Sequence, residues 1–163
     1  MEIADKVVLV TGGGSGIGAG IAEAFVEKGA RVAIGDIVPD RAEAEAVRIG
    51  HGTIAFGHDV ASPDSWAEVK RAVEDQLGSV EILCNNAGIA LPFKPMEQVS
   101  IEEFDRVMAV NVRGAFLGCH VFIPEMKARG SGHIVNTSSV NEQIPHQTFA
   151  AYSASKFAVS AMS

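Results

Sequence analysis

The chain has 163 residues, of which 47% are hydrophobic and 20% are charged, and its formal net charge at pH 7 is -7. This composition is typical of a compact globular domain and excludes an extended disordered chain. The negative charge disfavours nucleic acid and anionic membranes as main partners, because both attract basic surfaces.

The N-terminal residues and the cysteines predict a cytoplasmic protein. Residues 1–5 carry acids where a secretory signal needs bases, and the apolar runs are shorter than a membrane span. Cys84 and Cys119 lie inside apolar runs without metal-ligating neighbours, which is typical of buried thiols in a reducing compartment. We therefore expect neither a membrane partner nor a catalytic thiol.

The first half of the chain alternates strand and helix patterns. Residues 6–11 form a β-branched run before a glycine cluster, which indicates a buried parallel strand. Residues 17–25 carry an apolar stripe at helical spacing, and Gly29 is a typical helix stop. The next predicted elements are a strand at 31–36, a helix at 40–49 and a strand at 53–56.

The second half continues the alternation. Ser62, Pro63 and Asp64 are a cap residue, a first-turn proline and an acid in the order that begins a helix. The capping box Ser-x-x-Glu at residues 100–103 begins a long helix, which Pro124 is expected to kink. The helix that begins at Ser62 is predicted to end at Gly78, and the long helix near residue 129. The remaining predicted elements are a strand at 80–84, a strand at 133–137, a polar loop at 138–148 and a helix that carries Tyr152.

Alternating strands and helices predict an α/β fold, a doubly wound parallel sheet of Rossmann type with five strands. We interpret residues 1–163 as a single dinucleotide-binding domain. The glycines at 12, 16 and 18 join the first strand to the first helix, where a pyrophosphate can lie on free backbone amides. An NTPase would need a lysine that this loop lacks. A turn that serves only packing is the alternative.

Asp36 ends the second predicted strand, eighteen residues after Gly18. A carboxylate at this place can accept hydrogen bonds from the adenosine ribose and repels the 2′-phosphate of NADP. Ser15 stands in the glycine loop, where neither arginine nor lysine is present to neutralise that phosphate. The sequence therefore favours NAD, unless Asp36 merely caps a loop.

Tyr152 and Lys156 are four residues apart, so on a helix both side chains can point into one pocket. A tyrosine with an ordinary pKa of about 10 is a poor acid or base at neutral pH, and a nearby positive charge favours the phenolate. This spacing also arises by chance, so its meaning depends on the rest of the chain.

Five sequence elements together resemble the short-chain dehydrogenase/reductases in order and spacing. They are Thr11-Gly12-x3-Gly16-x-Gly18, Asn85-Asn86-Ala87-Gly88, Asn111, Ser139 and Tyr152-x3-Lys156. The resemblance runs from residue 6 to the last residue, without the sixth and seventh strands that members normally have. It implies an oxidoreductase that transfers a hydride between NAD(H) and a secondary alcohol or ketone. The alternative is a truncated dinucleotide-binding module with little turnover.

The resemblance also implies residue roles. Tyr152 is expected to be the general acid in reduction and the general base in oxidation, while Lys156 favours the phenolate and holds the nicotinamide ribose. Ser139 would hydrogen-bond the substrate oxygen. Asn111 would disturb the long helix and position a water that links Lys156 to solvent. The expected cofactor residues are Gly12, Ser15, Gly16, Ile17, Gly18, Asp36, Asp59, Val60, Asn86, Ala87, Gly88, Tyr152 and Lys156.

Substrate selectivity is expected to lie in residues 89–96 and 140–149, where Leu91, Phe93, Ile144 and Phe149 suggest an apolar wall. The five histidines have no metal-binding spacing, so we expect no metal and place them at the surface or at strand edges. The resemblance further implies a homodimer or homotetramer built through the long helix and the Tyr152 helix.

Overall fold

Parallel strands form the centre of the computed structural model, which describes residues 2–163. In these residues the five strands are β1 (Val7–Thr11), β2 (Arg31–Asp36), β3 (Ile54–Gly57), β4 (Ile82–Asn85) and β5 (His133–Asn136). Their order across the sheet is β3-β2-β1-β4-β5, and every pairing is parallel. The predicted doubly wound sheet is confirmed, and both ends of every strand lie within two residues of their predicted positions.

Six α-helices cover the sheet in the described part of the chain. They are α1 (Gly16–Glu27), α2 (Pro39–Ile49), α3 (Pro63–Leu77), α4 (Ile101–Met108), α5 (Gly114–Ala128) and α6 (Ala150–Ala161). The strand order reverses at β1, because β2 lies on one side of it and β4 on the other. The carboxyl ends of β1 and β4 therefore open a crevice, which is where open α/β sheets bind ligands.

The two faces of the sheet bury separate apolar clusters, because successive strand side chains point in opposite directions. On one face, Val7 and Leu9 of β1 pack with Trp66 of α3 and Phe122 of α5. On the other face, the alternate residues of β1 pack with small side chains of α1 and α2. Both faces of the central strands are thus covered, which holds their carboxyl ends in place.

The predicted long helix is helical from Ile101 to Ala128, but α4 and α5 are joined by a π-helical turn at Ala109–Arg113. α5 continues through Pro124. By length and composition this 28-residue stretch could span a membrane, contrary to the sequence expectation. The core helix of a soluble protein meets the same criteria, and Phe122 and Met126 pack in the core beside β1.

The predicted helix starts at Ser62 and Ser100 are confirmed. Ser62 accepts a hydrogen bond from the Ser65 amide, and the Ser100 hydroxyl and Glu103 carboxylate form the reciprocal capping box. Both motifs are local in sequence, so the backbone forms them wherever the helix is placed.

Candidate active site

The glycine loop between β1 and α1 is folded tightly against the end of β4. Gly12 has φ +64°, and a Cβ built on it would lie 2.9 Å from the Ala87 Cα. A Cβ on Gly18 would collide with the Gly12 carbonyl oxygen. A Cβ on Gly16, in contrast, would have no atom of residues 2–163 within 4 Å apart from its chain neighbours and the nearby backbone of α1. The first turn of α1, whose amides lack partners within the helix, lines an open cleft of about 380 Å³ through Gly16, Ile17 and Gly18.

Thr11, which the sequence motifs contained without assigning it a role, ties β1 to the segment after β4. Its Oγ1 accepts hydrogen bonds from the amides of Asn86 (3.0 Å) and Ala87 (3.1 Å) and donates one to the Cys84 carbonyl (3.3 Å). The Asn86 Nδ2 donates in return to the carbonyls of Thr11 and Gly12. These contacts fix the glycine loop. In the sequence, the position of a threonine at the end of the first strand was the only indication of these hydrogen bonds.

Asp36 lies at the end of β2 beside the glycine loop. Its Oδ2 accepts a hydrogen bond from the Gly14 amide (3.0 Å), and its Oδ1 accepts one from the Val38 amide (3.0 Å). Each carboxylate oxygen has a second lone pair, so Asp36 can accept further hydrogen bonds. Arg41 approaches the same place, since a Cβ built on Gly14 would lie 3.0 Å from the Arg41 Cβ. Arg41 stands five residues after Asp36 in the sequence, outside the glycine loop, where the sequence has no basic residue.

A cleft of about 390 Å³ continues from Asp36 past the end of β3. Val60 is buried in its wall, and the exposed Asp59 accepts a hydrogen bond from the Ala61 amide (2.9 Å). His58 also lines this cleft, but it is only 3% exposed and packs edge-on against Trp66. The expected surface place is therefore wrong for this histidine, which directly follows the edge strand β3, and burial lowers its pKa to about 4.

A second cleft of about 380 Å³ adjoins the first and leads to Tyr152. The two clefts share Gly12, Asp36 and the residues Ala87, Gly88 and Ile89 after β4. Every predicted cofactor residue lines one cleft or both: Gly12, Ser15, Gly16, Ile17, Gly18, Asp36, Asp59, Val60, Asn86, Ala87, Gly88, Tyr152 and Lys156. The fold thus assembles one continuous groove from segments spread over the whole chain.

Tyr152 and Lys156 lie on the same face of α6, as the spacing predicts. The Lys156 Nζ is 5.6 Å from the centre of the Tyr152 ring and donates a hydrogen bond to the Thr137 carbonyl (2.7 Å). Lys156 is only 4% exposed, and burial lowers its pKa below the usual value. A buried ammonium with one neutral acceptor retains two donors for a ligand.

Asn111 lies in the π-helical turn and is 2% exposed. Its Oδ1 accepts from the Ile89 amide (2.8 Å), and its Nδ2 donates to the Ile89 carbonyl and to the Ser155 Oγ, each at 2.9 Å. Ser155 in turn donates to the Tyr152 carbonyl (2.7 Å). Asn111 therefore connects the segment after β4 with α6 from beneath the cleft.

Ser139 begins the short 3₁₀ turn Val140–Glu142, and its Oγ accepts a hydrogen bond from the Asn141 amide (3.2 Å). The neighbouring Ser138, rather than Ser139, is among the cleft-lining residues. The Ser138 hydroxyl donates to the Lys156 carbonyl (3.2 Å). The structure thus brings Tyr152, Lys156 and Asn111 together, while Ser139 is not among the residues that line the cleft.

Comparison with known proteins identifies the family. The model of the short chain dehydrogenase family matches residues 6–163. The chain belongs to this family. It is 41% identical to the 3-beta-hydroxysteroid dehydrogenase of Comamonas testosteroni over 96% of the chain, and 41% identical to the NADP-dependent (R)-specific alcohol dehydrogenase of Lentilactobacillus kefiri over 97%.

A solved member of the short-chain dehydrogenase family has the same fold. The 3-ketoacyl-(acyl-carrier-protein) reductase from Brucella melitensis, crystallised with NADH, has 37% sequence identity, a TM-score of 0.94 and 98% coverage of this chain. The chain spans 68% of that structure, 61% of the Comamonas enzyme and 64% of the Lentilactobacillus enzyme. The chain therefore spans about two thirds of the length of these relatives.

Other features of this short-chain dehydrogenase chain bear on the site. Residues 2–163 contain no group of three or more His, Cys, Asp or Glu side chains that could hold a metal ion. Cys84 is buried, and burial raises the pKa of its thiol to about 11. A thiol in that state is a weak nucleophile.

Proposed function

We propose that the chain forms the cofactor-binding and proton-transfer part of an oxidoreductase, which moves a hydride between NAD(H) and a secondary alcohol or ketone. The supporting observation is the single groove that has the glycine loop at one end and Tyr152 with Lys156 at the other. The nicotinamide carries the hydride chemistry, and the protein supplies the binding site for the cofactor and a proton donor with a suitable pKa.

The glycine loop fits a dinucleotide because its geometry excludes side chains and leaves space at Gly16. A pyrophosphate there would meet the first-turn amides of α1, and Asp36 would accept from the adenosine ribose. When bound, the nicotinamide supplies or receives the hydride. The protein's own part is to bind, orient and protonate.

Tyr152 is the proposed proton donor in reduction and the proton acceptor in oxidation. The Lys156 ammonium stabilises the phenolate form, and its two remaining N–H groups would hold the nicotinamide ribose. Ser139 is proposed to donate a hydrogen bond to the substrate oxygen as negative charge develops on it.

A water between Asn111 and Lys156 is the proposed route of the proton to solvent. Gly88 supports this route, because a Cβ built on it would lie 3.4 Å from the Asn111 Oδ1 and 3.5 Å from the Lys156 Nζ. The missing side chain leaves a point that both polar atoms can reach. A side chain at Gly88 would occupy that point.

For the cofactor we propose NAD rather than NADP. The Asp36 carboxylate would repel a 2′-phosphate, while Arg41 on α2, whose Cβ lies close to Gly14, is a basic residue that could offset this repulsion. One relative is an NADP-dependent enzyme, so the preference depends on which of these two charges dominates.

We also propose a cytoplasmic homodimer or homotetramer. The support for the oligomer is a set of exposed apolar side chains along the α4–α5 stretch and α6, namely Ile101, Phe104, Phe116 and Phe157. Apolar patches of this kind are typical of protein contacts. Sedimentation of the purified chain measures this state directly.

A second candidate is a dinucleotide-binding module with little turnover. The observation that favours it is β5, which forms the edge of the sheet and leaves Val135 48% exposed. The loop and helix that carry the proposed proton-transfer residues follow this edge strand, which has a neighbouring strand on only one side.

A fluorescence titration with NADH, combined with an assay of ketone-dependent NADH oxidation, separates the candidates. Saturable binding with oxidation of NADH supports the enzyme, and saturable binding without turnover supports the module. A folded chain that binds neither NADH nor NADPH would contradict both.

A further inference from the structure

The turn between β3 and α3 forms one wall of the cleft beside Asp36 and is bonded to side chains near the start of α3. Asp59 and Val60 of this turn line the cleft. The Asp59 amide donates a hydrogen bond to the Ser65 Oγ (3.1 Å), and the Trp66 Nε1 donates one to the Val60 carbonyl (2.9 Å). The backbone position of both wall residues therefore depends on α3.

His58 contacts the same Ser65 hydroxyl, since its Nδ1 lies 2.9 Å from the Ser65 Oγ. Its ring packs edge-on against Trp66, with ring centres 4.4 Å apart, in the space that Gly35 leaves on β2. Burial lowers the pKa of His58 to about 4, so the ring is neutral at pH 7. A neutral ring can either accept or donate a hydrogen bond at Nδ1.

The Ser65 hydroxyl can bond to both neighbours at once. One of its lone pairs accepts from the Asp59 amide, which leaves one proton and one lone pair. With the ring proton on Nε2, the His58 Nδ1 accepts the Ser65 proton, and in the other tautomer Nδ1 donates to the second lone pair. In either case His58 fixes the rotation of the hydroxyl and keeps a lone pair directed at the Asp59 amide.

The other ring nitrogen of His58 shows that the histidine does not serve packing alone. Within residues 2–163, its Nε2 is buried without a hydrogen-bond partner. An unpaired buried polar atom destabilises a fold, and an apolar side chain beside Trp66 would avoid that cost. The bond between Nδ1 and Ser65 is a reason for a histidine at this position.

The part of a dinucleotide that would reach this wall is the adenine. With the adenosine ribose at Asp36 and the phosphates on the glycine loop, the base extends from the ribose into the cleft that continues past β3. Ile37, Val60 and Val110 line this cleft and suit the apolar faces of a purine, while Asp59 offers acceptors for its amino group.

We propose that His58 and Ser65 are positioning residues for the adenine half of the cofactor, and that they act together through the Asp59 backbone. The inference rests on the proposed function, because it takes the adenosine ribose to lie at Asp36. It adds that adenine affinity depends on a hydrogen-bonded pair of side chains between the cleft wall and α3.

Ligand-observed NMR titrations with AMP and with reduced nicotinamide mononucleotide test the two halves of the site separately. Ser65→Ala removes the acceptor of the Asp59 amide, so we expect AMP affinity to fall about fivefold and nicotinamide mononucleotide affinity less than about twofold. Equal losses for both ligands, or an unchanged AMP affinity, would overturn the proposal. Far-UV circular dichroism checks that each variant is folded, and Ser65→Ala, the smallest change, decides alone if a His58 variant unfolds.

A double-mutant cycle tests whether His58 acts through Ser65. His58→Leu keeps an apolar side chain beside Trp66 and should lower AMP affinity about threefold. Combined with Ser65→Ala it should give about the fivefold loss of Ser65→Ala alone, because the hydroxyl that His58 orients is already absent. A combined loss of about fifteenfold, the product of the single losses, would show that the two residues act independently and would overturn the joint role.

His58→Asn is the conservative variant, because asparagine carries a polar atom at the same number of bonds from the backbone as Nδ1. It should keep AMP affinity within about twofold of the unsubstituted chain, and a loss equal to that of His58→Leu would contradict the hydrogen bond to Ser65. Asp64→Asn is the matched control, an exposed acid in the first turn of the same helix. It should change neither affinity, and an AMP loss like that of Ser65→Ala would mean that α3 acts only through its stability.

These titrations separate failure of this inference from failure of the proposed function, because AMP binding needs no turnover. If no ketone is reduced but the AMP losses are as expected, the proposed turnover is wrong and the positioning role is supported. If ketones are reduced with NADH and Ser65→Ala leaves AMP affinity unchanged, the positioning role is wrong and the proposed function stands. A folded chain that binds no AMP would contradict both the adenosine placement and this inference.

Discussion

The two ends of the groove are built in different ways. At the phosphate end, backbone geometry determines the surface, because glycines fold the loop between β1 and α1 and the Thr11 and Asn86 hydrogen bonds fix it. At the other end, where we propose proton transfer, the surface is formed by side chains of α6, which follows the edge strand β5 in the chain. Cofactor binding and proton transfer should therefore respond separately to substitution.

Tyr152→Phe should have the largest effect. Loss of the phenol removes the proton donor, so we expect kcat to fall at least about a thousandfold, within the usual range for general acid–base catalysis. The affinity for NADH should change less than about twofold, since the ring and Lys156 remain. Steady-state kinetics and an NADH titration measure both. A variant that retained activity would contradict the role of Tyr152.

Gly18→Ala should instead weaken NADH binding by displacing the glycine loop. The added Cβ would collide with the Gly12 carbonyl, so the loop must shift at a cost of about 3 kcal/mol, and NADH affinity should fall by more than about thirtyfold. Gly20→Ala is the matched control on the same helix, because in residues 2–163 an added Cβ would have no atom within 4 Å apart from its chain neighbours and the nearby backbone of its own helix.

Gly20→Ala should leave NADH affinity unchanged and raise the free energy of unfolding by roughly 0.5 to 1 kcal/mol, as alanine is the better helix former. Equal NADH affinities for the Gly18 and Gly20 variants would show that the tight loop does not shape the phosphate site.

His58 gives a prediction for pH dependence. Its pKa is lowered to about 4 by burial in the folded chain, whereas an unfolded histidine has a pKa of about 6.5, so the unfolded state binds the proton more tightly. The unfolding free energy should therefore decrease as pH falls below 6.5 and stop responding to His58 below about 4. Between pH 7.5 and 5 the loss is about 2 kcal/mol.

Urea unfolding at both pH values measures this loss, and His58→Gln should remove most of it. The same loss in the variant would mean that carboxylates, rather than His58, determine the acid sensitivity.

Asp36→Ala should have the smallest effect. We expect the preference for NAD over NADP to fall about tenfold, because the repulsion of the 2′-phosphate is lost and Arg41 remains. Asp40→Ala, a nearby exposed acid in the first turn of α2, is the control and should leave the ratio nearly unchanged. Competition titrations with NADH and NADPH give the ratio, and an unaltered value in Asp36→Ala would exclude the ribose contact.

The sequence predicted the fold because its signals are local. Apolar runs, helix stops and capping boxes such as Ser100 to Glu103 act within a few residues, and the structure has them where they were expected. The π-helical turn at Ala109–Arg113 has no such signal, and only the family resemblance implied a disturbance at Asn111.

The features that sequence could not predict depend on distant partners. Gly35 leaves the space into which His58 packs, since a Cβ there would lie 2.9 Å from the His58 Cβ. Thr11 bonds to residues about seventy-five positions away. No regular sequence spacing links the residues of either pair, so these contacts can be found only in the folded structure.

A crystal structure of the chain with NADH would test the central claim most directly. The account predicts one dinucleotide along both clefts, with its adenosine ribose within hydrogen-bond distance of Asp36 and its nicotinamide ribose within hydrogen-bond distance of Lys156. A dinucleotide bound outside this groove, or with its nicotinamide at the Asp36 end, would contradict the account.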